Sequence, residues 1–345
     1  MTFSKRFFLF LTLTILFHVG LLYYKNILHP DLLINNFEQE RFFTYTQSLK
    51  GGDYPKDLSF ADSRYFPGIP VSIYLISLIF GNIYISGLVL GILILLLLFI
   101  FSYRLTKNPL YSFLVTIFPP IVFNQTSKIS TESAVAIFLL VIFILFMKKR
   151  FLWASIISGL SYLFRPVSII FYLPIAIILL KGKRYKELFV SLLGVSFFPI
   201  ILYFSNIKLF GDGFYQFNVY SEICGNSFAL LQIAKDYLIL MDKGQWRIII
   251  SGSMYIIFSV WVLYQILRHK DDFLIKGDVH FVKLISIFLA LFVFSVGFVD
   301  CPYLPEFRRY FSYYYPFALI VLYKNLKNRK LFYMLSVLTL PIAFI

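Results

Sequence analysis

The chain has 345 residues, of which 59% are hydrophobic and only 14% are charged. Soluble domains average roughly 45–50% apolar and about 25% charged residues, so this composition argues against a soluble enzyme. The formal net charge of +15 would suit a nucleic-acid-binding protein if the basic residues formed one patch. They occur instead as short clusters between apolar runs, which predicts a membrane protein and no nucleic-acid partner.

The apolar runs recur along the whole chain, as expected when lipid is the solvent. They predict an all-α polytopic membrane protein with about 11 transmembrane helices, at residues 7–24, 86–103, 109–122, 133–147, 151–164, 167–181, 187–205, 247–267, 281–299, 310–323 and 331–345. Several runs are short for a bilayer that needs about 20 residues. Residues 151–164 and 167–181 are therefore predicted to be a tilted or re-entrant pair. We expect a single integral-membrane domain over residues 1–345.

The basic clusters predict the orientation of these spans, because cytoplasmic loops carry an excess of Lys and Arg. With Lys5 and Arg6 in the cytoplasm, every other cluster falls on the cytoplasmic side, at 104–107, 148–150, 181–186, 268–283 and 324–330. The N-terminus is then cytoplasmic and the C-terminus external. Two large external loops follow, at 25–85 and 206–246, with short ones at 123–132 and 300–309.

The first external loop is predicted to hold two juxtamembrane helices. Residues 65–80 are apolar, but a full span there would move Arg104 and Lys107 outside, so we expect a helix lying at the outer surface. Residues 41–49, with aromatic side chains at three positions, fit a short interfacial helix. Metal-spaced Cys or His motifs, a P-loop and a GxGxxG motif are all absent from the sequence. No cofactor is therefore predicted, although a divalent metal remains possible.

Candidate chemistry lies among the carboxylates of the external side. The first loop carries several: Asp31, Glu38, Glu40, Asp53, Asp57 and Asp62. A single loop carboxylate is most often solvated surface. A group of them facing Glu132, at the start of the run 133–147, would place a general base beside a substrate carried in the membrane. Glu132 also has a simpler explanation, because a helix N-terminus favours negative charge.

The segment "STESAVAIFLLVIFILFMKKRFLWASIISGLSYLFRPVSIIFYLPI" resembles part of the GT-C superfamily of polyprenyl-phosphate-sugar glycosyltransferases, closest to its mannosyltransferase branch. The family pattern begins a span with Thr-Glu-Ser and continues through a basic turn, a glycine-bearing helix, Arg-Pro and Leu-Pro. This chain fills those places in order, at residues 131–133, 148–150, 159, 165–166 and 173–174. Upstream, "YFPGIPVSIYLISLIFG" resembles the family's segment after the first loop, and "EFRRYFSYYYPFALI" resembles a late span. The resemblance covers roughly residues 30–180 in order and is weaker beyond them.

The resemblance implies an inverting hexosyltransferase of the cell envelope. It would move a mannose-like sugar from a polyprenyl phosphate to a glycan, lipid or protein acceptor on the extracytoplasmic face. The expected membrane is the bacterial inner or plasma membrane, or the endoplasmic reticulum in a eukaryote. The expected catalytic residues are Glu38, Glu40 and Glu132, and the expected substrate-binding residues are Asp31, Tyr65, Arg165, Arg308 and Arg309. The family usually has Asp early in the first loop, where this chain has "FEQERFF".

Two other functions fit the same topology. A lipid-linked polysaccharide polymerase would depend on arginines in later external loops. A lipid-glycan transporter or flippase would bury charges near the bilayer midplane and often shows paired repeats. The charged residues here map to loops and span ends, and no internal repeat is found in the sequence. Both observations argue against the transporter, whereas the polymerase stays open as the alternative to the transferase.

Overall fold

The computed structural model describes most of the first two thirds of the chain and shorter stretches of the last third. The described residues are 4–23, 37–52, 66–117, 129, 131–224, 226–227, 229–246, scattered positions between 249 and 268, 281–288, 297–298 and 314–323. Over these residues the protein is predominantly helical, as the sequence predicts. The predicted span 331–345 lies outside them.

The helices are numbered in chain order. They are α1 (Lys5–Tyr23), α2 (Phe37–Gly51), α3 (Gly68–Phe80), α4 (Ile83–Thr106), α5 (Pro109–Ile117), α6 (Thr131–Met147), α7 (Phe151–Tyr162), a 3₁₀ helix (Pro166–Tyr172), α8 (Leu173–Lys181), α9 (Tyr185–Phe210), α10 (Tyr215–Cys224), α11 (Ala229–Asp242) and α12 (Tyr315–Leu322). Residues 281–288 are also helical. A two-residue antiparallel pair joins β1 (Asn226–Ser227) to β2 (Gly297–Phe298).

Within the described part of the chain, two helices are both long and apolar enough to cross a membrane, namely α4 and α9. They have 24 and 26 residues. Large apolar side chains stand exposed along α9, including Phe189, Phe197 and Phe204. Such a surface suits lipid better than water. Two helices of this kind are a weak indication of a membrane protein, and the eleven-span topology stays a prediction.

Helix bounds differ from the predicted spans where local chemistry extends or ends a helix. The span predicted at 86–103 begins earlier, at Ile83, because the Asn82 side chain accepts hydrogen bonds from the first free backbone N–H groups. The span predicted at 167–181 is divided, because residues 166–172 form a 3₁₀ helix and α8 begins only at Leu173. The span predicted at 281–299 is wrong at its end, because Gly297–Phe298 is extended and pairs with β1.

Helices are present at both places where juxtamembrane helices are predicted, and α2 is longer than the predicted 41–49. They pack on each other through the Thr46 hydroxyl, which donates to the Pro70 carbonyl at 3.2 Å. Lys50 Nζ donates to the Gly81 carbonyl at the other end of α3. The second predicted loop, 206–246, also contains helices, α10 and α11, that the sequence interpretation did not include.

Helices α7 and α9 pack closely against each other. A Cβ at Gly159 would collide with the main-chain carbonyl of Val195. Both helices also carry small buried residues, Ser155 and Ser158 on α7 and Ser191 on α9. Small residues let two helix backbones approach closely, which is the usual basis of helix association in membranes.

The start of α5 is joined to α12 by hydrogen bonds. The Tyr111 hydroxyl donates to the Leu319 carbonyl at 2.8 Å, and Asn108 Nδ2 donates to the Tyr323 hydroxyl at 3.1 Å. The rings of Tyr111 and Tyr323 lie 4.4 Å apart. These contacts fasten a late helix to the early part of the chain.

The Tyr111→Phe substitution is expected to lower the free energy of unfolding by about 1 kcal/mol, because it removes one buried hydrogen bond and keeps the ring. Tyr185→Phe is the matched control, since Tyr185 is exposed and exposed substitutions usually change stability by less than about 0.5 kcal/mol. Denaturation by sodium dodecyl sulfate in mixed micelles measures both. Equal midpoints for the two variants would contradict the prediction.

Candidate functional site

Glu132 lies in the first turn of α6 and is almost completely buried, with its side chain at 0% exposure. The neighbouring Thr131 hydroxyl donates a hydrogen bond to Glu132 Oε2 at 3.1 Å. A carboxylate in the first turn of a helix is stabilised by the backbone N–H groups that point toward it. The local sequence explains why an acidic residue is tolerated here, but it does not explain the burial.

Arg165 explains the burial of Glu132. Its Nη2 donates to Glu132 Oε1, and the two side chains form an ion pair. Arg165 connects α7 to the 3₁₀ helix in an extended conformation, with φ −152° and ψ 122°. The following Pro166 favours this conformation, because its ring disfavours a helical geometry in the preceding residue. The sequence Arg-Pro therefore ends α7 and turns the guanidinium toward α6.

The pair is asymmetric in its exposure. The Arg165 side chain is 15% exposed, whereas the Glu132 side chain is fully buried. A buried ion pair is costly to form and still more costly to break, because removing one partner leaves an uncompensated charge. The arrangement therefore leaves a small part of the Arg165 side chain accessible, while the buried carboxylate sets the direction of its guanidinium.

Three aromatic rings gather one helical turn before Arg165. Tyr162 lies edge-on to Phe66 at 5.8 Å, and Phe217 lies edge-on to Phe66 at 5.6 Å. Tyr162 and Phe217 are 6.5 Å apart. The cluster joins the end of α7 to both predicted external loops, since residue 66 belongs to the first and residue 217 to the second.

The first predicted loop is also hydrogen-bonded to the residues beside Arg165. The Gly68 N–H donates to the Leu163 carbonyl at 2.8 Å. Only glycine fits there, because a Cβ would lie 2.6 Å from the ring of Phe164. The first turn of α3 is thereby fixed next to Arg165. It carries Pro70, to which α2 is hydrogen-bonded.

Of the residues predicted for the site, the structure brings Glu132 and Arg165 together. Glu40 lies on α2, is exposed, and makes no side-chain hydrogen bond or ion pair to another described residue. Glu38 belongs to α2, but its side chain falls outside the described part of the chain. The remaining predicted residues also lie outside it: Asp31, Tyr65, Arg308 and Arg309.

Sequence reasoning missed Tyr162 and Phe217. Tyr162 had a usable signal, since it stands one turn before the Arg-Pro pair. Phe217 had none, because aromatic residues are frequent throughout the chain. Among the described residues, no group of three or more His, Cys, Asp or Glu side chains is placed to hold a metal ion.

Comparison with known proteins gives no relative for this chain. No protein-family model, no curated protein and no solved structure matches it.

Proposed function

We propose that this chain is a multi-pass membrane glycosyltransferase of the GT-C type. It transfers a mannose-like hexose from a polyprenyl phosphate to a glycan, lipid or protein acceptor on the extracytoplasmic face. The observation that carries the proposal is the buried ion pair of Glu132 and Arg165, next to the start of α3 in the first predicted external loop.

The contacts of the fold support the proposed topology. If the orientation predicted from the basic clusters is correct, residues at the same membrane face should meet. Four contacts each join residues assigned to one face: Phe7 with Tyr103, Asn108 with Tyr323, Glu132 with Arg165, and Asn226 with Phe298. The first two are assigned to the cytoplasmic face and the last two to the external face.

The depth of the ion pair suits a substrate carried in lipid. From Met147 to Glu132, α6 rises about 22 Å at roughly 1.5 Å per residue. The hydrocarbon core of a bilayer is about 30 Å thick. With Met147 near the cytoplasmic surface, the pair lies about 8 Å below the outer surface of the hydrocarbon core, within reach of a phosphate attached to a membrane-dissolved carrier. A charged pair at this depth is costly and is usually retained for function.

The proposed roles follow from the chemistry of the transfer. The departing polyprenyl phosphate needs positive charge, which Arg165 supplies through guanidinium N–H donors suited to phosphate. Both Glu132 oxygens accept hydrogen bonds, so Glu132 is assigned to holding Arg165 in place. The acceptor hydroxyl needs a base, and we assign it to Glu38 or Glu40 on α2. The sugar's anomeric carbon then bonds to the acceptor oxygen as its bond to the phosphate oxygen breaks.

The proposal is tested by donor consumption. Purified protein in lipid is given a panel of polyprenyl-phosphate sugars with a mixed glycan and lipid acceptor fraction. Wild type is expected to consume one donor, and either Glu38→Gln or Glu40→Gln is expected to lower turnover about 100-fold, as removal of a general base does. The glutamine variant of the other residue serves as the matched control.

The outcomes separate the transferase from its rivals. Turnover that falls with one first-loop carboxylate supports the transferase and identifies its base. Turnover that is indifferent to both carboxylates but lost on Arg308→Gln or Arg309→Gln favours the polymerase. Movement of intact lipid-linked sugar across the bilayer, without donor consumption, favours a flippase.

A further inference from the structure

The turn between α9 and α10 is determined by the residues at positions 211–214. Gly211 ends α9 with φ +75°, a conformation that glycine adopts without strain. Asp212 lies in the turn before α10, and its carboxylate accepts hydrogen bonds from the Phe214 N–H at 2.9 Å and from Asn218 Nδ2 at 2.7 Å. The Gly-Asp-Gly-Phe sequence therefore reverses the chain within four residues.

Two buried amides hold α10 against the end of α9. Asn206 Nδ2 donates to Gln216 Oε1 at 2.6 Å, and Gln216 Nε2 donates back to Asn206 Oδ1 at 3.1 Å. Asn206 also donates to the Gly213 carbonyl at 3.1 Å. The two residues are 3% and 1% exposed. Because a buried amide without a partner is costly, this reciprocal pair fixes the rotation of α10 about its axis.

The next residue along α10 is Phe217, which completes the ring cluster with Phe66 and Tyr162. We propose that Asn206 and Gln216 are positioning residues for the candidate site. Their amide pair fixes the orientation of α10 and so places Phe217 in the ring cluster. The second predicted external loop thereby forms one wall of the site at Arg165. The identity of the ligand, a lipid-linked sugar, rests on the proposed function.

Cross-linking tests the positioning without reference to any activity. The two native cysteines of the chain are first removed by Cys224→Ser and Cys301→Ser. New cysteines are then introduced by Phe66→Cys and Phe217→Cys, and a short bis-methanethiosulfonate reagent cross-links positions 66 and 217. We expect efficient cross-linking in this background and its loss when Gln216→Leu is added. A separate variant exchanges the two amides, Asn206→Gln with Gln216→Asn, in place of Gln216→Leu. It keeps the total side-chain length, so its cross-linking yield should match that of the background protein.

A kinetic measurement tests whether the wall belongs to the site. Gln216→Leu, with Phe217 intact, is expected to raise KM for the lipid-linked donor about 2- to 10-fold while kcat changes little. This is the expected effect of losing one aromatic contact to the ligand. The amide exchange should return KM to the wild-type value, which a merely destabilising substitution would not allow.

The outcomes are distinct. Cross-linking that survives Gln216→Leu, or that is lost in the exchange variant, overturns the positioning role of the amides. If Gln216→Leu abolishes cross-linking but leaves KM unchanged, the claim that α10 forms a wall of the site is overturned. If the wild-type protein consumes no donor, the proposed function is overturned instead. The cross-linking yield still decides whether Asn206 and Gln216 position Phe217.

Discussion

Replacing Arg165 with Met is expected to lower both the stability and the turnover of this protein. The free energy of unfolding should fall by about 3–5 kcal/mol, because Glu132 would remain buried without its charged partner. Turnover of the lipid-linked donor should fall about 10³-fold, the upper range for loss of one group that stabilises transition-state charge. Denaturation in mixed micelles and donor consumption measure the two effects.

A second Arg–Glu pair in the same chain provides the matched control. Arg184 and Glu187 are bonded at 2.5 Å and 2.7 Å, but their side chains are 40% and 45% exposed. Exposed pairs contribute only about 0.2–1 kcal/mol. Arg184→Met should therefore cost little, although it also removes a contact between the guanidinium and the Phe151 ring. Equal losses for Arg165→Met and Arg184→Met would contradict the importance assigned to the buried pair.

The double variant separates the structural role of the pair from its chemical role. Glu132→Leu combined with Arg165→Met removes both charges, and apolar replacement of a complete buried pair is often neutral. Most of the lost stability should return, whereas turnover should stay low because the cation is absent. Turnover that returns together with stability would show that Arg165 serves the fold alone, and would remove the central support of the proposed function.

The second large effect is expected from Gly159→Ala on α7. The added methyl group would meet the backbone of α9 at Val195 rather than a movable side chain. The helices would have to separate, and overpacking of this kind costs about 1–3 kcal/mol. The same separation would shift Tyr162 at the end of α7 and Arg165 just after it, so donor turnover should fall as well.

Gly20→Ala is the control for Gly159→Ala. Gly20 lies in α1 with nothing within 4 Å of an added Cβ, so alanine should stabilise the helix by about 0.5–1 kcal/mol. The two variants add the same methyl group to glycines within helices, and only the surroundings differ. A midpoint for Gly159→Ala equal to or above that of wild type would refute the close packing of α7 and α9.

Much of the helical pattern could be predicted because local apolar runs determine where the helices form. The helix predicted at 133–147 is observed as Thr131–Met147, and the one at 151–164 as Phe151–Tyr162. Both are predominantly apolar, and a basic turn separates them. The helix α11 was missed although its apolar residues recur at helical spacing, because residues 206–246 were assigned as a whole to an external loop.

The candidate site was predictable only as a set of residue types. Glu132 and Arg165 stood out in the sequence because charges are rare beside apolar runs. Local sequence also determined most of the helices, whereas the orientation that the basic clusters indicate stays a prediction. Their contact, 33 positions apart, exists because α6 and α7 fold back on each other. The meeting of Phe66, Tyr162 and Phe217 likewise depends on two loops reaching one helix end. Local composition sets helices and charge placement, whereas tertiary packing decides which distant side chains share a desolvated volume.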